Sequence, residues 1–228
     1  MQNANDKKIS LGVLVSGRGT NLQAILDRCQ DGSISAEVKV VISNRPRVLA
    51  LKRAAEKGVP AYTVEPKSFG KWPFCKEPYE KQLVGILESY NVELVVLAGY
   101  DRLAGSTLLS AFPMRVVNVH PAILPAFPGL KAQKQALDYG VKIAGASVFF
   151  VDLSVDGGPI IIQDSCKVME NDTVESLSAR ILEIEHRILP EAITLIAQGR
   201  VRVDGKKVRI LGSGVNSRHM ENTSTNEV

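Results

Sequence analysis

Asn118 and His120 sit two positions apart at the end of an apolar run, Val116-Val117-Asn118-Val119-His120, and Pro121 follows at once. β-Branched residues suit a pleated surface, so Val116 to Val119 reads as a buried strand. Side chains alternate along a strand, which puts Asn118 and His120 on one face. The pair sets a neutral amide donor beside a titratable imidazole, and both can donate to an oxygen on which negative charge develops. Pro121, Pro125 and Pro128 forbid regular structure beyond the strand, and Gly129 frees the backbone again. In an α/β sheet, ligands bind at the carboxyl ends of strands, where this pair falls. The structural alternative is a strand-terminal histidine that caps a loop carbonyl. Asp156, ahead of Gly157-Gly158-Pro159, is a further candidate. An aspartate in that context ordinarily forms a turn by binding its own backbone amides. It gains chemistry only if its loop packs beside His120.

A different chemistry is written near the start. Ile9 to Val15 is an apolar run that ends in Ser16-Gly17-Arg18-Gly19-Thr20-Asn21. Leu22, Ile25, Leu26 and Cys29 then recur at helical spacing. Strand, glycine turn and helix start bring backbone amides toward an anion. The dinucleotide fingerprint fails, because Leu22 stands at the third glycine position. The following strand, Val38 to Ile42, ends in Ser43-Asn44 instead of an acid that would hold a ribose. A Walker A loop is absent too. A single phosphate is the natural guest, against the alternative of a tight turn without a ligand.

The elements that position these groups alternate along the chain. Helices are expected over Pro46 to Lys57, closed by Gly58, and over the stripe Tyr79, Leu83, Ile86, Leu87 and Tyr90, which reads as core. Strands are expected over Val59 to Val64 and Leu94 to Ala98, with Glu65 to Pro78 a surface loop. Ser106 to Ala111 makes a short helix before the Asn118/His120 strand. Beyond it come a helix from Ala132 to Tyr139, ended by Gly140, and a strand from Ala146 to Val151. A second strand, Ile160 to Gln163, returns from the Asp156 loop. Asp172 to Glu175 fits a capping box for a long amphipathic helix that carries Glu185 and His186. Arg200 to Val203 and Lys206 to Ile210, around Asp204-Gly205, form a terminal hairpin. The expected architecture is α/β, a Rossmann-like doubly wound, mostly parallel sheet with helices on both faces. Residues 9–211 form one domain, between a flexible start (1–8) and a disordered polar tail (212–228).

Composition narrows the function. The 228 residues are 45% hydrophobic and 23% charged, an ordinary globular profile with enough chain for a proper core. The net charge of +4 is scattered over 28 Lys and Arg without a basic block. That argues against nucleic acid and allows a mild pull on anionic small molecules. Cys29, Cys75 and Cys166 show neither CxxC nor metal spacing, which suggests reduced thiols in a cytoplasmic compartment. No signal peptide and no apolar run of membrane-spanning length is expected.

Ser16-Gly17-Arg18-Gly19-Thr20-Asn21-Leu22, Asn118-Val119-His120-Pro121, Leu124-Pro125 with Pro128-Gly129, and Asp156-Gly157-Gly158-Pro159 occur in this order. Together they resemble the phosphoribosylglycinamide formyltransferases, folate-dependent enzymes of purine biosynthesis, from about Ile9 to Leu211. The Asn-x-His, Leu-Pro and Asp-Gly-Gly elements recur across folate formyltransferases, while the opening loop and Glu185-His186 point to the glycinamide ribonucleotide branch. The resemblance implies that Gly19, Thr20 and Asn21 hold the substrate phosphate and Glu185 the ribose hydroxyls. It implies a folate pocket lined by Lys76, Asp101, Arg102, Leu103 and Ala104, with Asn118 and the loop from Asp152 to Asp156. Lys76 stands where relatives often carry Arg, and Asp101 where an apolar residue is common. The implied co-substrate is 10-formyltetrahydrofolate, with no metal. The partners are small molecules, with neither nucleic acid nor membrane, and a homodimer stays open.

The residue types suit that chemistry. A primary amine attacks the formyl carbon, and Asn118 with His120 as imidazolium stabilises the oxyanion. Asp156 keeps His120 charged and, through a water, helps move a proton from the attacking nitrogen to the leaving folate nitrogen. A formyltetrahydrofolate hydrolase and a non-catalytic folate or phosphate binder are the alternatives. The hydrolase is expected to carry an added N-terminal regulatory domain, and methionyl-tRNA formyltransferase a C-terminal RNA-binding domain. A pure binder has no use for an oxyanion donor beside a coupled acid.

Overall fold

A computed structural model describes residues 8–71 and 73–212, so the expected flexible start and disordered tail lie, apart from Lys8 and Gly212, outside the described residues. Seven strands form one sheet in the order β3-β2-β1-β4-β5-β6-β7. They are β1 (Ile9–Val15), β2 (Ala36–Ser43), β3 (Ala61–Thr63), β4 (Leu94–Leu97), β5 (Val116–His120), β6 (Ile143–Phe150) and β7 (Ile160–Lys167). β1 to β5 run parallel, and the sheet changes direction at the β5–β6 pair, where His120 lies opposite Ser147. β7 pairs antiparallel with β6. This is the mostly parallel, doubly wound α/β arrangement expected.

Period-two alternation sends successive side chains of each buried strand into two separate cores. Leu11, Val13, Val15, Leu94, Val96, Val117 and Val119 join one core. It is closed by Leu22 and Ile25 of α1 (Thr20–Gln30), Ala50 and Ala54 of α2 (Leu49–Glu56), and Leu177, Ile181 and Ile188 of the long last helix. Leu14, Val40, Ile42, Val95, Leu97 and Val116 join the other. It is closed by Tyr79, Leu83 and Leu87 of α3 (Lys76–Ser89) and Leu108 of α4 (Ser106–Ala111). Asn118 and His120 follow Val116 at period two, so they open on the α3 side of the sheet.

Several boundaries differ from expectation for identifiable reasons. α2 begins at Leu49 and not Pro46, because Arg47 is left-handed (φ 55°) and Val48 extended. The stretch expected as loop, Glu65 to Pro78, holds a 3-10 turn at Pro66–Phe69 and the first turn of α3. Proline is tolerated in a first turn, whose N–H groups lack intrahelical partners. After α5 (Ala132–Tyr139), Gly140 in a left-handed cap stops the helix as expected. The capping box of α6 (Val174–Ala197) is Thr173 with Ser176, not Asp172 with Glu175. Asp172 is occupied otherwise: it accepts from the Met169 N–H at 2.7 Å and from the Arg180 guanidinium at 2.8 and 3.0 Å. α6 also continues through Pro190. The terminal hairpin, β8 (Val201–Asp204) and β9 (Lys207–Ile210), packs against β7 through β9.

Candidate active site

Two cavities meet at the carboxyl edge of the parallel strands, sharing Gly99 in the exit loop of β4. The first, about 540 Å³, is lined by Gly17 to Asn21, Ala98, Gln133 and the α6 residues Glu175, Ser178, Leu182 and Glu185. The second, about 600 Å³, lies on the α3 side and is lined by Lys76, Tyr100 to Ala104, Asn118, His120 and the loop from Asp152 to Asp156. All four residues expected to hold the phosphoribosyl group line the first cavity, and all eight expected around the folate line the second.

The first cavity is built on a turn that only glycine can make. Gly19 is left-handed (φ 71°), and a Cβ on it would lie 2.6 Å from the Ala50 Cβ. No acidic residue stands in the first turn of α1, and its N-cap makes no side-chain hydrogen bond, so the helix amides stay open to an anion. The Ala50 N–H donates to the Gly17 carbonyl at 3.1 Å, and the Arg53 guanidinium donates to the Arg18 carbonyl at 3.0 Å, fixing the loop from the α2 side. Opposite, the Asn21 amide donates to Glu185 at 2.6 Å, and both residues are buried. Burial pushes the Glu185 carboxyl up to about 7, although the Asn21 bond works the other way. The Asn21 Oδ1 is buried with no hydrogen-bond partner among the described residues.

In the second cavity the His120 ring is bracketed. Nε2 lies 2.9 Å from the Phe127 carbonyl, which can only accept, so Nε2 carries a proton. Nδ1 lies 3.4 Å from Asp156 Oδ2. The two readings of this histidine therefore hold together: one nitrogen caps a loop carbonyl, and the other faces a carboxylate. Asp156 is not satisfied by amides of its own turn. Its Oδ2 accepts from the Gly129 N–H at 2.7 Å across the cavity, with Asp156 left-handed at φ 49°. The loop packs so tightly on the end of β6 that a Cβ on Gly158 would overlap the Phe150 carbonyl oxygen. Asn118 is half-buried, and its side chain makes no hydrogen bond among the described residues, so its amide is available to the cavity.

Further residues support this geometry without having been singled out from the sequence. Ser147, fully buried opposite His120, donates to the Ala122 carbonyl at 2.7 Å and accepts from the Leu124 N–H at 3.0 Å. Gln163 donates to Ser147 and to the Leu124 carbonyl. Together they hold the proline loop; the available signal was a lone serine between Ala146 and Val148. Glu80, buried on α3, accepts from the Gly105 N–H at 2.5 Å and the Leu108 N–H at 3.2 Å, anchoring the wall that carries Asp101 to Ala104. Asp101 lines the second cavity, yet its carboxylate is engaged elsewhere. It accepts from Ser16 Oγ at 2.9 Å and Asn44 Nδ2 at 2.7 Å, and pairs with Arg45. Burial works to raise the Asp152 carboxyl, but Lys206 and Ser154 outweigh it and hold it below the usual carboxylate value.

Among the described residues, no helix is long and apolar enough to cross a membrane, and no cluster of three His, Cys, Asp or Glu has metal-binding proximity. A sequence profile described as Formyl transferase matches residues 9–193. The phosphoribosylglycinamide formyltransferase of Bacillus subtilis (strain 168) is 39% identical over 181 residues, covering 79% of this chain and 91% of that protein. The trifunctional purine biosynthetic protein adenosine-3 of Gallus gallus is 37% identical over 196 residues. There the match covers 86% of this chain but 19% of the relative, so the chain spans about a fifth of that longer protein. The crystal structure of glycinamide ribonucleotide transformylase 1 from Symbiobacterium toebii superposes with a TM-score of 0.87 at 51% identity, covering 90% of this chain and 95% of that one.

Proposed function

The chain belongs to the formyl transferase family, and from that premise we propose that it transfers the formyl group of 10-formyltetrahydrofolate to the amine of glycinamide ribonucleotide, a step of purine biosynthesis. The observation that carries this reading is the pair of cavities meeting at Gly99, with Asn118, His120 and Asp156 on the side of the second. A transferase must bring two substrates together at one atom, and two cavities abutting at a strand edge suit that task. In this reading the phosphate sits on the α1 amides at Gly19, Thr20 and Asn21, and the ribose hydroxyls meet Glu185. The reduced folate lies against Lys76, Asp101 to Ala104, Asn118 and the loop from Asp152 to Asp156. The three free cysteines fit a reducing compartment such as the cytoplasm.

The mechanism follows from the polar groups in place. The substrate amine attacks the formyl carbon, and a tetrahedral oxyanion forms. Asn118, whose amide has no competing partner, donates to that oxygen. The Phe127 carbonyl accepts from Nε2 of His120, which leaves Nδ1 as the nitrogen turned to Asp156. A proton on Nδ1 is stabilised by the carboxylate and places positive charge beside the developing oxyanion. Asp156, through a bridging water, relays the proton lost by the amine toward the departing folate nitrogen. The new C–N bond is complete in the tetrahedral intermediate, whose collapse re-forms the carbonyl and breaks the C–N bond to the protonated folate nitrogen, and no covalent enzyme intermediate is required.

The test follows tetrahydrofolate release optically with purified protein and 10-formyltetrahydrofolate, with and without glycinamide ribonucleotide. Release only with the ribonucleotide is expected. Release without it would make the protein a hydrolase. Folate binding with no release in either case would make it a binding protein or a transferase for another amine.

A further inference from the structure

The turn of the terminal hairpin reaches the loop that walls the second cavity. β8 and β9 lie beyond the residues matched by the family profile, which ends at 193. The hairpin is fixed at its base, where the Leu211 N–H donates to the Arg200 carbonyl and the Arg200 guanidinium to the Leu211 carbonyl, both at 2.8 Å. From its turn, Lys206 extends one ammonium to two acceptors, Asp152 Oδ2 at 2.7 Å and the Gly157 carbonyl at 2.5 Å. Those acceptors flank Asp156 on both sides in sequence. Lys206 is 66% exposed and Asp152 35%. A pair that open contributes at most about 1 kcal/mol to global stability. Stability is thus a poor account of two bonds converging from a separate sheet.

Location accounts for them better. The Asp152 carboxylate also binds the Ser154 N–H at 2.9 Å and the Ser154 hydroxyl, so it closes the first half of the loop. The second half is set by Gly157 and by Gly158 against the Phe150 carbonyl. Asp156 lies between in a left-handed conformation, uncommon for a non-glycine residue although aspartate enters it more readily than most. Lys206 ties the two halves to each other, and the loop to an element anchored on β7.

We propose that Lys206 is a positioning residue that acts through the Asp152–Gly157 loop to hold the Asp156 carboxylate against Nδ1 of His120. The inference rests on the formyl-transfer reading for its kinetic arm only. With Lys206 neutralised, the loop loses its outer tie and Asp156 samples positions away from the imidazole. Misplacement by about an ångström costs on the order of 100-fold in rate, so partial loosening should cost about tenfold.

The experiment compares K206M, which keeps the stem and loses the donors, with K206R, which keeps both. Expected for K206M is a kcat about tenfold lower, with the KM for glycinamide ribonucleotide within about twofold of wild type. K206R should retain most of the activity. In a D156N background, K206M should cost less than about twofold, because the carboxylate it positions is gone. Amide hydrogen exchange over 152–158 should quicken in K206M and not in K206R, whichever reaction the site performs. Wild-type kcat in K206M, an equal loss in K206R, a full tenfold penalty in the D156N background, or unchanged exchange would each overturn the proposal. Absence of formyl transfer by the wild-type protein would instead defeat the functional reading, leaving the exchange comparison to decide the role of Lys206.

Discussion

The two cavities are made by different parts of the fold and in different ways. The first rests on parallel strands and helix ends: a glycine turn, the amides of α1 and a buried pair between Asn21 and Glu185. Its turn offers backbone amides, and Arg18, Thr20, Gln133 and Glu175 add polar side chains to the lining. The second lies where the sheet changes direction, and long-range side-chain contacts hold its walls: Asp156 to Gly129, Ser147 to the proline loop, Glu80 to Gly105. The glycine turn is local chain geometry, though the Asn21–Glu185 pair beside it spans 164 residues, whereas every tie named around His120 joins separate stretches of the chain. The first cavity should therefore govern affinity for the phosphorylated substrate, and the second should govern turnover.

The sharpest way to break that division is H120A. Turnover is expected to fall by about 10²- to 10³-fold, while glycinamide ribonucleotide binding measured by calorimetry stays near wild type. Lost binding with normal turnover would reverse the assignment. D156N should lower kcat by about 10²-fold and flatten the pH–rate profile, since one partner of the proton relay is removed. An unchanged profile would remove Asp156 from the relay. On the other side of the division, N21A should raise the KM for the ribonucleotide by about tenfold and leave that for the folate nearly unmoved, because it takes away both a loop residue and the partner of a buried carboxyl. Equal effects on the two constants would argue against a phosphate loop.

Glu185 refines the comparison through pH. Its carboxyl is raised from an ordinary 4.5 to about 7 by burial, so the folded state holds the proton more tightly than the unfolded chain. Its contribution to stability is thus complete below about pH 4.5 and is lost as pH rises through about 7. Urea denaturation at pH 5 and pH 8 should show wild type losing on the order of 2 kcal/mol more than E185Q across that interval. Parallel pH dependence in the two proteins would remove Glu185 as the source. The smallest effect is expected from D101N. Asp101 joins the loops after β1, β2 and β4 through Ser16, Asn44 and Arg45. Both KM values should rise together by about threefold, since a bidentate acceptor becomes a weaker one. A rise confined to the folate would mean that the carboxylate touches that substrate directly.

What the sequence disclosed follows the same line between local and distant. Strand, glycine turn and helix from Ile9 to Gln30 could be read because every constraint lies within a few residues. Asn118 and His120 were legible as a pair because pleating alone puts them on one face. Asp156 was given a role only by the family resemblance, since the amide it accepts from belongs to Gly129, 27 residues away, and its own Asp-Gly-Gly context signals an ordinary turn. The α6 cap was misread by one residue because Asp172 and Glu175 match the pattern as well as Thr173 and Ser176 do. The Met169 N–H and the Arg180 guanidinium, eight residues on, remove Asp172 from the choice. Arg45 and Lys206 gave no signal, being exposed cations whose partners are set by tertiary packing alone.

The reversal of strand direction at β5 carries a consequence for how such a protein can change. Lengthening or recomposing the connection between β6 and β7 alters the wall against His120 without disturbing the chain that shapes the glycine turn after β1. The reverse is true of edits between β1 and α1. The β6–β7 connection lines only the second cavity and the turn between β1 and α1 only the first, with Gly99 shared by both. On the proposed assignment, chimaeras exchanging only the β6–β7 connection should shift the KM for the folate and leave that for the ribonucleotide near the host's value.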